Sequence, residues 1–351
     1  MFSDITIESR GGSYSISFAP DLNELLNHPS ALVVADGYFT SDTKLVGKSA
    51  YFVSATEENK SLQSVERICE FFQNYGLKRD GLVIAIGGGI IQDLVTLAAS
   101  IYMRGVRWMY VPTTLLGMVD SCIGGKSSIN TTGSKNLLGN IYPPQAIFIH
   151  TNFLKSLSQI ELNCGLSEAL KIAYCSGTES LSSFVELFNG GQIKDYGAVI
   201  HQSLLAKKWF IEVDEFDKNE RLQLNFGHTF GHAIEKGSNF GIPHGIAVAL
   251  GMKCALEFNN HLGRASNQSS SLDEVATWLI HSSLGALKVG EVSRRIALDA
   301  FRSDKKHSAD YFSLVLPSDS SGVRDYKIKK SKSSEEEIMS AIDITLRSFD
   351  L

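Results

Sequence analysis

The pattern of apolar and polar positions changes character near the middle of this chain. Up to about residue 150, short apolar runs alternate with amphipathic stretches. ALVVAD (31–36), YFVSA (51–55), GLVIAIGGG (81–89) and WMYVPTT (108–114) have the length and composition of strands. Residues 63–75 and 90–103, lying between them, carry apolar side chains at helical spacing. Strands alternating with helices predict a parallel α/β sheet able to bind a nucleotide.

From about Ser156 the periodicity is helical, over 157–175, 195–213, 226–237, 245–262, 271–284 and 290–301. Only YFSLVLP (311–317) reads as a strand, and Glu335 to Phe349 reads as a closing helix. The expected organisation is an α/β domain over residues 1–155 and a mainly α-helical domain over 156–351. There are no internal repeats and no low-complexity segment.

Composition narrows the function classes. The 351 residues are 43% hydrophobic, enough for two cored domains. The formal net charge is -5, and the one lysine-rich stretch, Lys327 to Lys332, lies beside the acidic run Glu335 to Glu337. That pattern reads as solvated surface, so no nucleic-acid partner is expected. No apolar run reaches membrane-spanning length, and MFSDITIESRGG lacks the basic and apolar regions of a signal peptide. The five cysteines, 69, 122, 164, 175 and 254, are dispersed without a C-x-x-C pair. They read as reduced thiols of a cytoplasmic protein.

Three constellations carry chemistry. Gly87, Gly88 and Gly89 stand between a strand and a helix, with Asp93 one turn further on. Such a turn lets backbone approach a pyrophosphate, with the helix N-terminus adding free N–H groups. Gln92 stands where a G-x-G-x-x-G fingerprint needs its third glycine, so a ligand-free tight turn reads equally well.

The second is NFGHTFGHAIE (225–235), where His228 and His232 are four apart and share a helix face. His244 follows in PHG, and Glu168, with Lys171 one turn away, lies in an earlier helix. Catalytic zinc commonly takes three protein ligands and keeps a position for water or substrate. Glu168, one histidine of the pair and His244 supply such a set; structural histidines on a helix are the alternative. The remaining histidines, 28, 150, 201, 261, 281 and 307, have no comparable setting.

The third is cationic: Arg104 in YMRG, Lys126 in GGK, Lys135 with Asn136 in GSKN, Lys305 and Lys306 in SDKK, and Arg221 ahead of the histidine pair. Singly, each reads as a surface charge; together they suit a substrate with more than one anionic group.

GGGIIQDLVTLAASIYMRGVRWMYVPTTLLGMVDSCIGGKSSIN, GSKNLLG, GLSEALK, Asp214–Glu215, RLQLNFGHTFGHAIE, PHG and SDKK resemble, in order and spacing, the 3-dehydroquinate synthases, a family of sugar-phosphate cyclases. The resemblance covers roughly residues 30–316. It implies an N-terminal α/β NAD-binding domain, a mainly helical C-terminal domain, an active site in the cleft between them and a homodimer. It implies NAD as a catalytic cofactor and Zn2+, replaceable by Co2+, on Glu168, His228 and His244, with His232 in the active site.

Matching positions imply catalytic roles for Lys171, His232, Asn225, Lys126 and Asp120. They imply substrate contacts for Arg104, Lys135, Asn136, Lys207, Arg221, Lys305 and Lys306. NAD contacts are implied for Asp36, Glu57, Lys60, Gly88, Gly89, Asp93, Thr113, Thr114, Phe153 and Leu157. Three positions depart from the family pattern: Gln92 for glycine in GGGxxGD, Ile246 for glutamate in HGE, and His150 for aspartate in IDT.

The implied reaction converts 3-deoxy-D-arabino-heptulosonate 7-phosphate to 3-dehydroquinate and phosphate, a step of the shikimate pathway to aromatic amino acids. The competing expectations are a cyclase acting on sedoheptulose 7-phosphate or an amino analogue, a metal-dependent polyol or alcohol dehydrogenase, and a non-catalytic NAD-binding homologue. A small neutral alcohol has no need of the lysine and arginine set, and a binding module has no need of the Glu–His–His set.

Overall fold

The apolar runs of the first half lie side by side in one seven-stranded sheet. The computed structural model describes residues 2–18, 22–28, 30–42, 45, 49–133, 135–264, 269–318 and 322–351. It divides into two units, Met1–Leu157 and Ser158–Leu351.

In the first unit the strands are β1 (Ile5–Ile7), β2 (Tyr14–Phe18), β3 (Ala31–Asp36), β4 (Ala50–Val53), β5 (Leu82–Gly87), β6 (Arg107–Pro112) and β7 (Ala146–Ile149). Their spatial order is β1-β2-β7-β6-β5-β3-β4. Only β1 with β2 is antiparallel; every other neighbouring pair is parallel. Strand β5 is buried at all six positions, as a central parallel strand covered on both faces must be. Its Ile84 pairs with Val33 of β3 and Met109 of β6. Val33, Ala35, Ile84, Ile86 and Val111 form the core on one face. The helices are α1 (Leu22–Leu26), α2 (Leu62–Asn74) and α3 (Gly89–Ile101).

Strands β1, β2 and β7, three to five residues long, were not legible as strands. They are too short for a two-residue period to stand out, and β7 is fixed by its neighbours β2 and β6 rather than by its own pattern.

The second unit holds α4 (Gln159–Cys175), α5 (Thr178–Leu187), α6 (Tyr196–Val213), α7 (His228–Gly237), α8 (His244–His261), α9 (Ser269–Leu284), α10 (Arg294–Arg302) and α11 (Lys332–Arg347). Two antiparallel hairpins accompany them, β8 (Phe188–Asn189) with β9 (Gln192–Ile193), and β10 (Tyr311–Pro317) with β11 (Val323–Lys329). Strand β11 escaped the sequence reading because Arg324, Asp325, Lys327 and Lys329 make it look like a solvated charge run. Pairing with the apolar β10 holds it in place.

Helix α4 begins at a capping box, with Ser158 and Glu161 each bonding the other's backbone N–H. Every residue from Asn163 to Cys175 is buried, so α4 is a core helix all round. Helices α7 and α8 approach so closely that glycine is required between them. A Cβ on Gly231 would sit 2.7 Å from the Ala247 carbonyl oxygen, and one on Gly251 would overlap the Gly227 carbonyl. We therefore expect Gly251→Ala to be destabilising. Better helix propensity contributes only about 1 kcal/mol, whereas forcing a methyl into packed backbone costs roughly 1–3 kcal/mol and must also push the helices apart. The urea midpoint should fall; an unchanged or raised midpoint would contradict this packing.

Candidate functional site

A buried carboxylate organises the second unit. Glu168 lies midway along the core helix α4, with 1% of its side chain exposed. Its two oxygens face different partners. Oε2 lies 2.6 Å from Nζ of Lys171, one turn on and 2% exposed. Oε1 lies 3.5 Å from Nε2 of His228 and 3.4 Å from Nε2 of His244.

Both histidines open their helices. Gly227, with φ of 75°, turns the chain so that α7 starts at His228, and Pro243 starts α8 at His244. Both rings are also oriented from behind. His228 Nδ1 donates to the Phe226 carbonyl at 3.3 Å, and His244 Nδ1 meets Oε2 of Glu235 at 3.2 Å. Each ring thus turns Nε2 toward the same carboxylate oxygen, the arrangement by which an outer partner fixes a metal-binding tautomer.

The donor spacing fits a small divalent cation. Zinc bonds to nitrogen and oxygen of about 2.0–2.2 Å place tetrahedral ligands roughly 3.3 Å apart, close to the 3.4 and 3.5 Å measured here. His232 offers a second trio, since the donor atoms of His228, His232 and His244 all lie within 4.8 Å of one another. Its spacing is looser, it leaves the carboxylate out, and His232 is the exposed member of the three. The set containing Glu168 is the better fit.

The electrostatics follow from burial and pairing. Burial alone would raise the Glu168 carboxyl, but Lys171 and then the two histidines hold it well below its usual range. Burial pushes His228 down to about 3, leaving a neutral imidazole with a lone pair on Nε2. Burial opposes the His244 cation too, but hydrogen bonds to Glu168 and Glu235 win and raise it to about 10.

The other residues singled out in this unit fall into two further groups. Arg221 is 3% exposed and donates from NH1 to the Glu215 carbonyl at 2.7 Å, so it is no surface cation. Its loop is pinned by Asp214, whose carboxylate accepts backbone N–H bonds from Lys218, Asn219 and Arg221. Asn225 ends the same turn, donating to the Leu222 carbonyl, and Lys207 is buried on α6. In SDKK, Lys306 pairs with Asp304 at 2.8 Å, while Lys305 is exposed. His307 anchors that turn by accepting the Ser313 N–H.

In the first unit, the sheet order places a switch point between β3 and β5, because the chain leaves their ends for opposite sides, to β4 and to β6. Ligands of open parallel sheets bind at the carboxyl ends of strands at such a point. Asp36 ends β3, Glu57 and Lys60 follow β4, Gly88 and Gly89 follow β5, Thr113 and Thr114 follow β6, and Phe153 and Leu157 follow β7. These nine expected cofactor residues thus lie at or beyond the carboxyl ends of parallel strands, and the tenth, Asp93, is one turn into α3. No side chain caps α3, and Gly88 is kept small by Thr114, whose Cγ2 would lie 3.0 Å from a Cβ there. Phe39, Ile86, Val111 and Phe153 line an apolar pocket at this edge.

Lys60 pairs with Asp93 at 2.7 Å and also donates to Asn136 Oδ1 at 2.8 Å. Burial raises the Asp93 carboxyl to about 6 against the pull of Lys60, so it stays ionised at neutral pH. Asn130 binds Glu57 through its side chain and accepts the Asn136 N–H, joining two sequence motifs. Lys126 and Lys135 are exposed, Ser134 of GSKN lies outside the described residues, and Arg104, also exposed, follows α3 with φ of 64°. Asp120 sits in a π-helical turn, Gly117–Ser121.

Glu235, Asp214 and Asn130 are positioning groups that were not expected from the sequence. Glu235 carried one usable signal: it is seven residues after His228, on the same helix face.

Two family profiles cover most of the chain, one described as 3-dehydroquinate synthase N-terminal over residues 50–164 and one as 3-dehydroquinate synthase C-terminal over 165–307. A 3-dehydroquinate synthase of Clostridium tetani is 44% identical over 61% of this chain and 58% of its own length. One of Helicobacter pylori is 36% identical over 74% of this chain and 77% of its own. Among solved structures, 2-epi-5-epi-valiolone synthase from Streptomyces hygroscopicus, with NAD+ and Zn2+ bound, shares the fold with a TM-score of 0.79. It is 24% identical, over 97% of this chain and 99% of that one. Among the described residues, no helix is long and apolar enough to cross a membrane.

The raised His244 gives a signed expectation. A metal ion needs the neutral imidazole, so binding to Glu168, His228 and His244 must displace the His244 proton. With that proton held up to about pH 10, zinc affinity should climb with pH across the neutral range, and about one proton per ion should appear in a weakly buffered titration. Affinity independent of pH, with no proton released, would contradict the assignment.

Proposed function

This chain belongs to the 3-dehydroquinate synthase family, and on that premise we propose that it converts 3-deoxy-D-arabino-heptulosonate 7-phosphate into 3-dehydroquinate and phosphate, using NAD catalytically and a divalent zinc or cobalt ion. The observation that carries the metal assignment is the single oxygen of Glu168 facing Nε2 of both His228 and His244 at 3.5 and 3.4 Å. When bound, NAD supplies transient removal and return of a hydride, and the metal polarises a substrate oxygen.

The chain's own residues supply binding, orientation and charge. Glu168, His228 and His244 hold the ion. Lys171, paired with Oε2 of Glu168, stabilises negative charge developing on a substrate oxygen. His232, exposed beside the pair, holds or moves a proton, and Asn225 orients the reacting hydroxyls. Lys126 and Asp120 serve the same chemistry. Arg104, Asn136 and one of Lys305 and Lys306 suit the phosphate, Arg221 with Lys207 the carboxylate, and Lys135 a further substrate contact. Asp36, Glu57, Lys60, Gly88, Gly89, Asp93, Thr113, Thr114, Phe153 and Leu157 hold NAD. The uncapped amides of α3 suit its pyrophosphate.

Five free cysteines fit a reducing cytoplasm. The family precedent is a homodimer, and light scattering at twice the chain mass is the expected result.

The test of the reaction is incubation of the pure protein with zinc, NAD and the heptulosonate phosphate. It should give 3-dehydroquinate by NMR, equimolar phosphate and no net NADH; steady NADH accumulation would instead support a dehydrogenase.

Substrate choice within the cyclases turns on Arg221. A guanidinium binds a carboxylate through two parallel donors, which an ammonium cannot do. Arg221→Lys should reduce kcat/KM for the heptulosonate phosphate by the equivalent of roughly 1.5–3 kcal/mol, the worth of a charged hydrogen bond. It should change little with sedoheptulose 7-phosphate, which lacks the carboxylate. Equal losses on both substrates would remove Arg221 from the carboxylate site.

A further inference from the structure

Gln92 is the fourth residue of α3, at the position where this chain departs from glycine. Its side chain is 2% exposed, and both ends of its amide are used. Nε2 donates to the Ser121 carbonyl at 2.7 Å, and Oε1 accepts from Oγ of the same serine at 2.7 Å. A buried glutamine so matched to one residue is a clasp between two segments 29 positions apart.

The segment it grips is the π-helical turn Gly117–Ser121, which contains Asp120. A π turn is wide, poorly self-supporting and often found at functional sites. This one is held at its start by the Gly117 N–H on Thr114 Oγ1, at 3.1 Å, and at its end by Gln92. The other partner is the first turn of α3, whose Gly88 packs against Thr114 and whose Asp93 pairs with Lys60. A glycine at position 92 would have no side chain to reach across.

We propose that Gln92 and Ser121 form a positioning clasp, arising from this chain's departure from glycine, that fixes Asp120 relative to the first turn of α3. Gln92 acts through Ser121 and is not itself a catalytic residue. The inference rests on the reading of α3 as the nucleotide seat and of Asp120 as part of the catalytic machinery.

The experiment compares Gln92→Ala, Ser121→Ala and the double variant in the zinc-loaded, NAD-saturated protein. Gln92→Ala, which removes both hydrogen bonds, should lower kcat about tenfold or more. KM for the heptulosonate phosphate and NAD affinity by calorimetry should move by less than about threefold. The double variant should be no worse than Gln92→Ala, because Gln92→Ala already removes both hydrogen bonds, including the one that Ser121→Ala removes. Hydrogen exchange of the amides from 117 to 122 should speed up in each variant. A lowered melting temperature with kcat unchanged would reduce the clasp to a structural role and overturn the proposal. A collapse of NAD affinity with kcat unchanged at saturation would make Gln92 a nucleotide contact, which also overturns it. Should Gln92→Ala fail to fold, Ser121→Ala, which removes the bond through Oγ and keeps the one to the carbonyl, should show the same changes at smaller size. Should the unmodified protein fail to turn over the heptulosonate phosphate, the functional reading falls separately, and unchanged exchange would still overturn the clasp.

Discussion

Glu168 is a charge placed where charge is expensive, and the second unit is arranged around making it tolerable. A carboxylate with 1% exposure is stable only if both oxygens find compensating partners. Lys171, one turn along the same helix, takes one oxygen. The other is left facing two imidazole nitrogens, and a divalent cation is what that set of donors can hold. The packing serves this end. Helix α4 is buried all round, so the pair cannot swing into water. Helices α7 and α8 cross through glycine contacts, which brings their first residues to the same oxygen.

The outer partners matter as much as the three donors. A metal-ligating imidazole almost always donates its other N–H to an outer partner, which fixes its tautomer and orientation. The Phe226 carbonyl commits His228, and Glu235 commits His244. The two rings nevertheless differ electrostatically. Burial leaves His228 neutral, whereas His244, between two carboxylates, carries a proton that any cation bound there would replace.

Much of this was legible in the sequence where it is local. The i, i+4 histidines, the glycine turn after an apolar strand and the helical periodicity of the second half are short-range patterns, and each appears as expected. Spacing alone could not choose between His228 and His232. That choice depends on where Glu168, some 60 residues earlier, presents its oxygen, which is a tertiary fact. Asp214 and Asn130 were illegible for the same reason, since both act by accepting or donating to backbone that only the fold brings near. The short strands β1, β2 and β7 are likewise defined by their neighbours. Gln92 was visible as an oddity, but its partner Ser121 was not.

X-ray absorption at the zinc edge of the loaded protein addresses the central claim, that one carboxylate oxygen and two imidazole nitrogens share a single ion. The expected spectrum has one oxygen and two nitrogens from protein at about 2.0–2.2 Å, and Glu168→Gln should lose the ion or lengthen its bonds. A site of three histidine nitrogens that survives Glu168→Gln unchanged, or no ion bound at one equivalent of zinc, would contradict it.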